Sequence, residues 1–359
     1  MKRVLLSTTA LVAAGLLVTS VAYAQDEEMA EEEMMMAEPV SVGVGGYYRV
    51  AIIGVDRDMP DADGDRGHSI QQNIEINLSG ETTLDNGLTA GVNIWLDGNE
   101  GFQDDTSETR LYVSGGFGTF TFGQFESAAQ LGTVWAPGGN GNFGVKSPWF
   151  GAGGTASWQG VIGKSEDDVT MMYASPTFGG VSISASYAPE DEKTSYADRK
   201  TAEGPYEDDD GNVTYDISET IGLSLNASMP MMGGSVSGGI GYETGTPEQC
   251  PAGMCDATSL RGGLVVTIDD VSIGGAIMET DIMGTTATHS DVGIGYSLGA
   301  MSLGVQYGNV DTDGADVDIT AFNAAYNLGP GIEVNSQIST GSDGDGDWAQ
   351  LMLGTAIVF

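Results

Sequence analysis

From residue 41 onward, apolar and polar residues alternate with a period of two over long stretches. Ile70, Gln72, Ile74, Ile76 and Leu78 alternate with Gln71, Asn73, Glu75, Asn77 and Ser79. Leu88, Ala90, Val92, Ile94 and Leu96 alternate with Thr89, Gly91, Asn93 and Asp97, and Val292, Ile294, Tyr296 and Leu298 with Asp291, Gly293, Gly295 and Ser297. Successive side chains of a strand point to opposite faces, so each segment predicts a strand with one apolar face and one polar or tiny face. About sixteen such segments occur, near 41–55, 69–80, 87–98, 107–114, 118–124, 168–175, 180–188, 214–229, 234–243, 257–268, 270–280, 290–298, 300–310, 316–327, 330–340 and 347–359.

Their connections alternate in length. Short turns fall at Leu84-Asp85-Asn86-Gly87, Gly115 to Gly118, Pro176 to Gly180, Pro230 to Gly234, Asp269-Asp270, Gly299-Ala300 and Leu328-Gly329-Pro330, with longer, mostly acidic loops between them. An even strand count with short turns at one end and long loops at the other is the pattern of an outer-membrane barrel. After residue 40 no apolar run approaches the 18 or so residues of a membrane helix. A soluble sandwich would bury its apolar face against a second sheet, but here the opposite face is too polar and Gly-rich to be a packed layer. In lipid every backbone group needs a partner, so the sheet must close. Sixteen strands then enclose an aqueous lumen walled by the polar face.

The first 24 residues read as an address. Lys2 and Arg3 form a positive start, Val4 to Val21 is apolar or small, and Ala22-Tyr23-Ala24 is a cleavage signature before Gln25. Residues 25–40 form an acidic low-complexity segment, with seven acids between Asp26 and Glu38, that cannot bury a core. The barrel is assigned to 41–359.

Charge narrows the function. Lys plus Arg total 12 against 51 Asp plus Glu, a formal net charge of −39, which becomes −41 once Lys2 and Arg3 are removed. That balance opposes nucleic-acid binding, which needs a basic footprint. Gly, at 55 residues, is about twice as frequent as usual. Two His and two Cys exclude a His- or Cys-rich metal site. Cys250 and Cys255 enclose Pro-Ala-Gly-Met, and in an oxidising compartment they predict a local disulfide; the spacing excludes a CxxC redox pair.

Glu108-Thr-Arg-Leu-Tyr-Val-Ser-Gly-Gly-Phe-Gly-Thr-Phe-Thr-Phe-Gly-Gln124 resembles the strand–turn–strand leading into loop 3 of Gram-negative general porins, above all their alphaproteobacterial, Rhodobacter-like branch. Gly45-Gly46-Tyr47-Tyr48-Arg49-Val50 is similar to that family's first strand, and Asp85-Asn86-Gly87-Leu88 with its following strand also fits. Ala349, Leu351, Leu353, Thr355, Ile357 and Phe359 share one face of the last strand, placing an aromatic at the periplasmic rim. The resemblance implies a homotrimer of all-β, sixteen-stranded antiparallel barrels in outer-membrane lipid and lipopolysaccharide. Loop 3 folds into each pore, small hydrophilic solutes pass, and no cofactor is required.

The longest connection, Gln124 to Asp167, spans 44 residues and takes the place of that loop. It is Gly-rich at Gly138-Gly139-Asn140-Gly141-Asn142 and carries Trp135, Phe143, Trp149, Phe150 and Trp158, read as anchors. It departs from the family in its charge: Glu126 is followed by no acid before Glu166, and Lys146 and Lys164 are its only bases. Charge on the lipid face costs about 2–4 kcal/mol at mid-membrane, so Arg49 and Arg110 are expected to face the lumen. Arg110 matches the family's basic ladder, and alternation alone adds Arg261. Glu75 and Tyr112 complete the expected pore lining with Glu126 and Lys146.

Short Asp–x–Asp clusters occur at Asp61, Asp63 and Asp65; at Asp311 and Asp313, with Asp316; and at Asp343, Asp345 and Asp347. Hard oxygen ligands at alternate positions suit Ca²⁺, but no helix–loop–helix surrounds them; solvated acidic loops are the leading reading, and divalent bridging to lipid phosphate is the second. A passive porin with weak cation preference leads. An exported adhesin or structural surface protein is the alternative, and it predicts neither the long inward loop nor the terminal aromatic strand. A barrel hydrolase finds little support, since His68 and His289 are both placed in loops.

Overall fold

The structure is a computed structural model. It describes residues 40–57, 67–98, 106–140, 143–145, 162, 169–189, 206–207, 213–214, 217–247, 250, 255–312, 315–343 and 346–359. The proposed leader and acidic segment lie outside these residues, apart from Val40.

In chain order the strands are β1 (Ser41–Arg57), β2 (His68–Thr83), β3 (Thr89–Asp97), β4 (Thr106–Gly115), β5 (Gly118–Gln124), β6 (Val169–Ala174), β7 (Val181–Ala188), β8 (Tyr206–Glu207), β9 (Val213–Thr214), β10 (Ile217–Met231), β11 (Gly234–Pro247), β12 (Ala257–Ile268), β13 (Val271–Ile282), β14 (Thr285–Leu298), β15 (Met301–Thr312), β16 (Ala315–Gly329), β17 (Ile332–Asp343) and β18 (Gly346–Val358). A four-residue helix α1 (Ala128–Leu131) follows β5. Sixteen strands close one antiparallel barrel, and β8 and β9 pair separately. All sixteen segments read from alternation are barrel strands. Closure is made by β1, paired with β2 on one side and with β18 on the other, from Tyr47↔Val358 to Arg57↔Trp348. Gly46 and Phe359 exchange two backbone hydrogen bonds of 3.0 Å at the start of this seam.

The two faces differ as the alternation requires. Ile52, Ile70, Leu223, Ile277, Phe322 and Leu353 lie exposed on the outside. Side chains of this kind gain about 1.5–3 kcal/mol each on leaving water, so a continuous belt of them marks a surface solvated by lipid. Near the turn ends, the Phe120 and Tyr173 rings stack at 4.9 Å and Phe117 joins at 5.9 Å from Phe120, as in an interfacial aromatic girdle. The inner face carries Asn73, Ser184, Gln306, Asn323, Gln337 and Gln350, all buried.

Three connections differ from the sequence expectation. Strands β13 and β14 run on to a two-residue turn at Met283-Gly284, β15 and β16 are separated only by residues 313–314, and β17 and β18 only by 344–345. The stretches 281–289, 311–315 and 341–346 are therefore mostly strand, not long loops. Their backbone pairing continues through Ile282↔Thr285, Thr312↔Ala315 and Asp343↔Gly346. His68 and His289 accordingly lie in β2 and β14, not in loops.

Beyond β5 the chain leaves the sheet and lies on the polar face. Phe125 is fully buried, and the Ala128 amide donates to Ser186 Oγ of β7 at 2.8 Å. Farther on, the Ala136 amide donates to Asp291 Oδ1 of β14 at 3.1 Å and the Gly144 amide to Gln337 Oε1 of β17 at 2.7 Å. At four points where this backbone comes closest, the wall carries glycine. A Cβ on Gly241, Gly263, Gly293 or Gly304 would collide with the backbone of Ala129, Val134, Pro137 or Gly138. Within the segment, Gly138 has φ +104 and lies against the Ile294 carbonyl, a conformation that a side chain would strain. Near the end of the described stretch, Phe143 packs with Ala51, Ile53 and Met352, which matches its reading as an anchor.

Candidate functional site

Charged side chains gather on the inner face in three groups. The first spans the closure. Arg49 on β1 sits beside Asn73 of β2 and Ala356 of β18, and Ala356 in turn faces Glu333 of β17. The guanidinium carbon lies 3.9 Å from the centre of the Tyr47 ring, a cation–π distance. The Tyr47 hydroxyl donates to Glu75 Oε2 at 3.3 Å. Arg49 thus sits between Glu75 and Glu333, both of which act on it electrostatically.

The second group stands on β2 to β4. Arg110 forms an ion pair with Glu108 on its own strand. Its guanidinium lies 5.5 Å from the ring centres of both Trp95 and Phe125. One carboxylate and two aromatic rings therefore hold this base in place instead of leaving it a free charge. Beside it, the Tyr112 hydroxyl donates to Glu81.

The third group is enclosed. Glu243 on β11 is 0% exposed and Arg261 on β12 is 3% exposed. Arg261 Nη2 lies 3.6 Å from Glu243 Oε2. Arg261 also donates to Thr133 Oγ1 at 3.4 Å and to Ser259 Oγ at 3.3 Å, while the Ile162 amide donates to Glu243 Oε2 at 3.4 Å. Arg261 does face inward, as alternation required, but it lies under residues 126–133 and does not open to the lumen. Glu126 lies between the second and third groups. Burial pushes its carboxyl above the ordinary range, and Arg110 and Arg261 pull it back.

A consistent division results. Arg49, Glu75, Glu81, Asp97, Glu108, Arg110 and Tyr112, on β1 to β4, remain partly exposed. Glu243, Arg261, His289 and Asp291, on β11 to β14, are buried beneath or beside the segment. His289 shares a small cavity with Trp135, Arg261 and Asp291.

The remaining expected sites are placed as follows. Cys250 and Cys255 form a disulfide. Lys146, Asp61, Asp63, Asp65, Asp313 and Asp345 lie outside the described residues, and Asp343 is described only as strand backbone. Asp311 and Asp347 are not in loops; they stand exposed on the strands β15 and β18. Among the described residues no group of three or more His, Cys, Asp or Glu is arranged to hold a metal ion.

Alternation placed Asp97, Glu108 and Asp291 on the polar face without singling them out, and Glu81, Glu243 and Glu333 were missed as wall residues. The signal was present: each shares its strand parity with an inward polar or glycine residue, as Glu243 does with Gly241 and Gly245.

A family model described as Gram-negative porin matches residues 7–346. Among solved structures, an anion-selective porin from Comamonas acidovorans is similar, with a TM-score of 0.67 at 16% identity, covering 89% of this chain and 100% of that one. A loop deletion mutant of OmpT, an outer membrane protein of Vibrio cholerae, gives 0.63 at 14% identity, with 89% and 99% covered. A mutant of Rh. blastica porin gives 0.58 at 17% identity, with 89% and 100% covered. No curated protein sequence matches the chain. The structural likenesses carry the fold, and the family match extends over most of the sequence: the chain belongs to the Gram-negative porins.

Proposed function

We propose that the partly exposed wall of β1 to β4 borders the narrowest part of a water-filled channel, with the segment after β5 as its opposite side. The protein is an outer-membrane porin for passive diffusion, and such channels are not enzymes and need no cofactor. The finer assignment makes Arg49, Glu75, Arg110, Tyr112 and Glu126 the groups met by a passing solute. Arg261 lies behind the segment, out of reach of the solute, and Lys146 completes the set within it.

The observation that carries this reading is the balance of charge on the inner face. On its partly exposed part, Arg49 and Arg110 stand against Glu75, Glu81, Asp97, Glu108, Glu126 and Glu333, while Glu243, Arg261 and Asp291 are buried. An acidic lumen concentrates cations, most effectively where the ion passes closest to the wall. The preference is weak, because Arg49 and Arg110 both lie on the exposed part of that wall. The Comamonas acidovorans porin is described as anion-selective, but at 16% identity it supports the fold and not the sign of selectivity.

The same reading includes removal of residues 1–24 as a signal peptide, an acidic tail at 25–40, assembly as a homotrimer, and contact with lipopolysaccharide. Ca²⁺ bridging between exposed acids such as Asp311 and Asp347 and lipid phosphate belongs to it as well. Purified protein in planar bilayers is the test. Discrete conductance steps with a reversal potential on the cation side support the reading; clear anion selectivity at low salt overturns its charge assignment.

A further inference from the structure

Glu243 and Arg261 are charged, enclosed and unused by the passage of solute. A buried ion pair is weak evidence for stability in itself, since desolvation offsets much of its attraction. What distinguishes this pair is the set of groups it holds. Arg261 reaches Thr133, on the limb of the long connection that leaves β5. Glu243 accepts from the amide of Ile162, on the limb that returns toward β6. The two side chains come from adjacent strands, Glu243 opposite Ser259 and Arg261 opposite Gly241. One pair thus joins both limbs to one patch of the barrel wall.

We propose that Glu243 and Arg261 form a clamp that fixes the base of the long connection and so keeps the channel open at a single size. This rests on the porin reading above. Arg261 is then a positioning residue: it influences solutes through the place of the segment, not through its own charge. With Arg261 removed, Glu243 is left buried without its counter-charge; with Glu243 removed, Arg261 keeps only the lesser pull of Glu126; in both cases the limbs part from the wall more readily. The channel visits narrowed or closed states that the intact clamp suppresses.

Single-channel recording on the full-length protein separates this from direct electrostatics. Glu243→Gln removes a negative charge and Arg261→Met a positive one. A direct effect on ions shifts the reversal potential of the two variants in opposite directions and leaves the open channel quiet. The clamp predicts the same outcome for both: closed-state occupancy about tenfold above wild type, as when part of the cost of an uncompensated buried charge falls on the limbs, with reversal potentials close to wild type. Arg261→Lys, which keeps the charge, restores most of the quiet behaviour. Thr133→Val leaves both charges in place and removes one limb contact, so it raises closing to a smaller extent and serves if the charge variants fail to assemble. Opposite shifts in reversal potential without extra closing, or a Thr133→Val channel as quiet as wild type, overturn the clamp. Absence of conductance steps in the wild type would instead remove the porin reading beneath it.

Discussion

Gln306 donates from its side-chain nitrogen to the Ala136 carbonyl at 2.9 Å. Its Oε1 accepts from the Val145 amide at 3.2 Å. A single side chain of β15, 1% exposed, therefore holds both ends of the stretch 136–145 against the wall. Buried backbone groups left unpaired cost about 1–3 kcal/mol each. Gln306→Leu keeps the volume and removes both partners, while the barrel ladder is untouched. Limited proteolysis of the folded protein should then cut within 136–145 while strand content by circular dichroism stays at the wild-type level. Equal resistance to protease in the two proteins would show that other contacts seat the segment.

Gly304 tests the same seat from the wall side. A Cβ there would meet the oxygen and Cα of Gly138, both of them backbone and neither able to swing away. Overpacking of this kind costs about 1–3 kcal/mol, and the segment can relieve it only by moving toward the lumen. Gly304→Val should assemble and conduct less per channel than wild type. Unchanged conductance would mean that the lumen is not bounded by this part of the chain.

The alternation that located all sixteen strands depends on lipid. Along 285–290, Thr-Thr-Ala-Thr-His-Ser is polar on both parities, yet β14 begins at Thr285. Where a strand continues past the apolar belt, neither face must be apolar, so the pattern fades while the backbone pairing persists. That is why the last three long loops of the sequence reading shrink to two residues. Glu243 and Glu333 escaped notice for a different reason. The cost of a charge in lipid holds for carboxylates as well as for arginines, and it assigns Glu243 and Glu333 to the inner face. Burial of Arg261 was not legible, because it depends on a segment that folds back more than a hundred residues before it in the chain. The glycines of the wall were visible as a tiny polar face, but nothing local says that another backbone occupies their space.

Phe359 tests the closure. Its backbone pairs with Gly46 in both directions at 3.0 Å, and its side chain is 62% exposed on the lipid side. Phe359→Asp keeps those backbone bonds but places a charge next to the aromatic belt. At the membrane interface a charge costs only about 0–1 kcal/mol, against about 2–4 kcal/mol at mid-membrane, so the formed barrel survives. The expected loss is in insertion and assembly: less mature protein in the outer membrane, with normal conductance in the channels that do form. Wild-type amounts of assembled protein would count against a role for this ring.

Arg110 and Glu126 link selectivity to pH. Arg110 is 32% exposed at its side chain and paired with Glu108, so it offsets a carboxylate on the open wall. Arg110→Ala uncovers that carboxylate and should move the reversal potential further toward the cation side. The change should shrink as salt rises, since screening shortens the reach of an exposed charge to about 8–10 Å near physiological ionic strength. Glu126 adds a second signature. Burial raises its carboxyl, and Arg110 is the first of the two bases that lower it again. A carboxyl is charged above its pKa and neutral below it, so acidification through the raised range removes a negative charge from the lumen and weakens cation preference. Without Arg110 that carboxyl rises further, and the loss begins at a higher pH than in wild type. Arg110→Ala should therefore be the more cation-selective channel at neutral pH, and its advantage should narrow on mild acidification. Reversal potentials across a salt gradient, recorded at neutral and mildly acid pH for both proteins, decide it. A difference that is constant with pH would detach Glu126 from the path of the ions, and no difference at neutral pH would remove Arg110 from it.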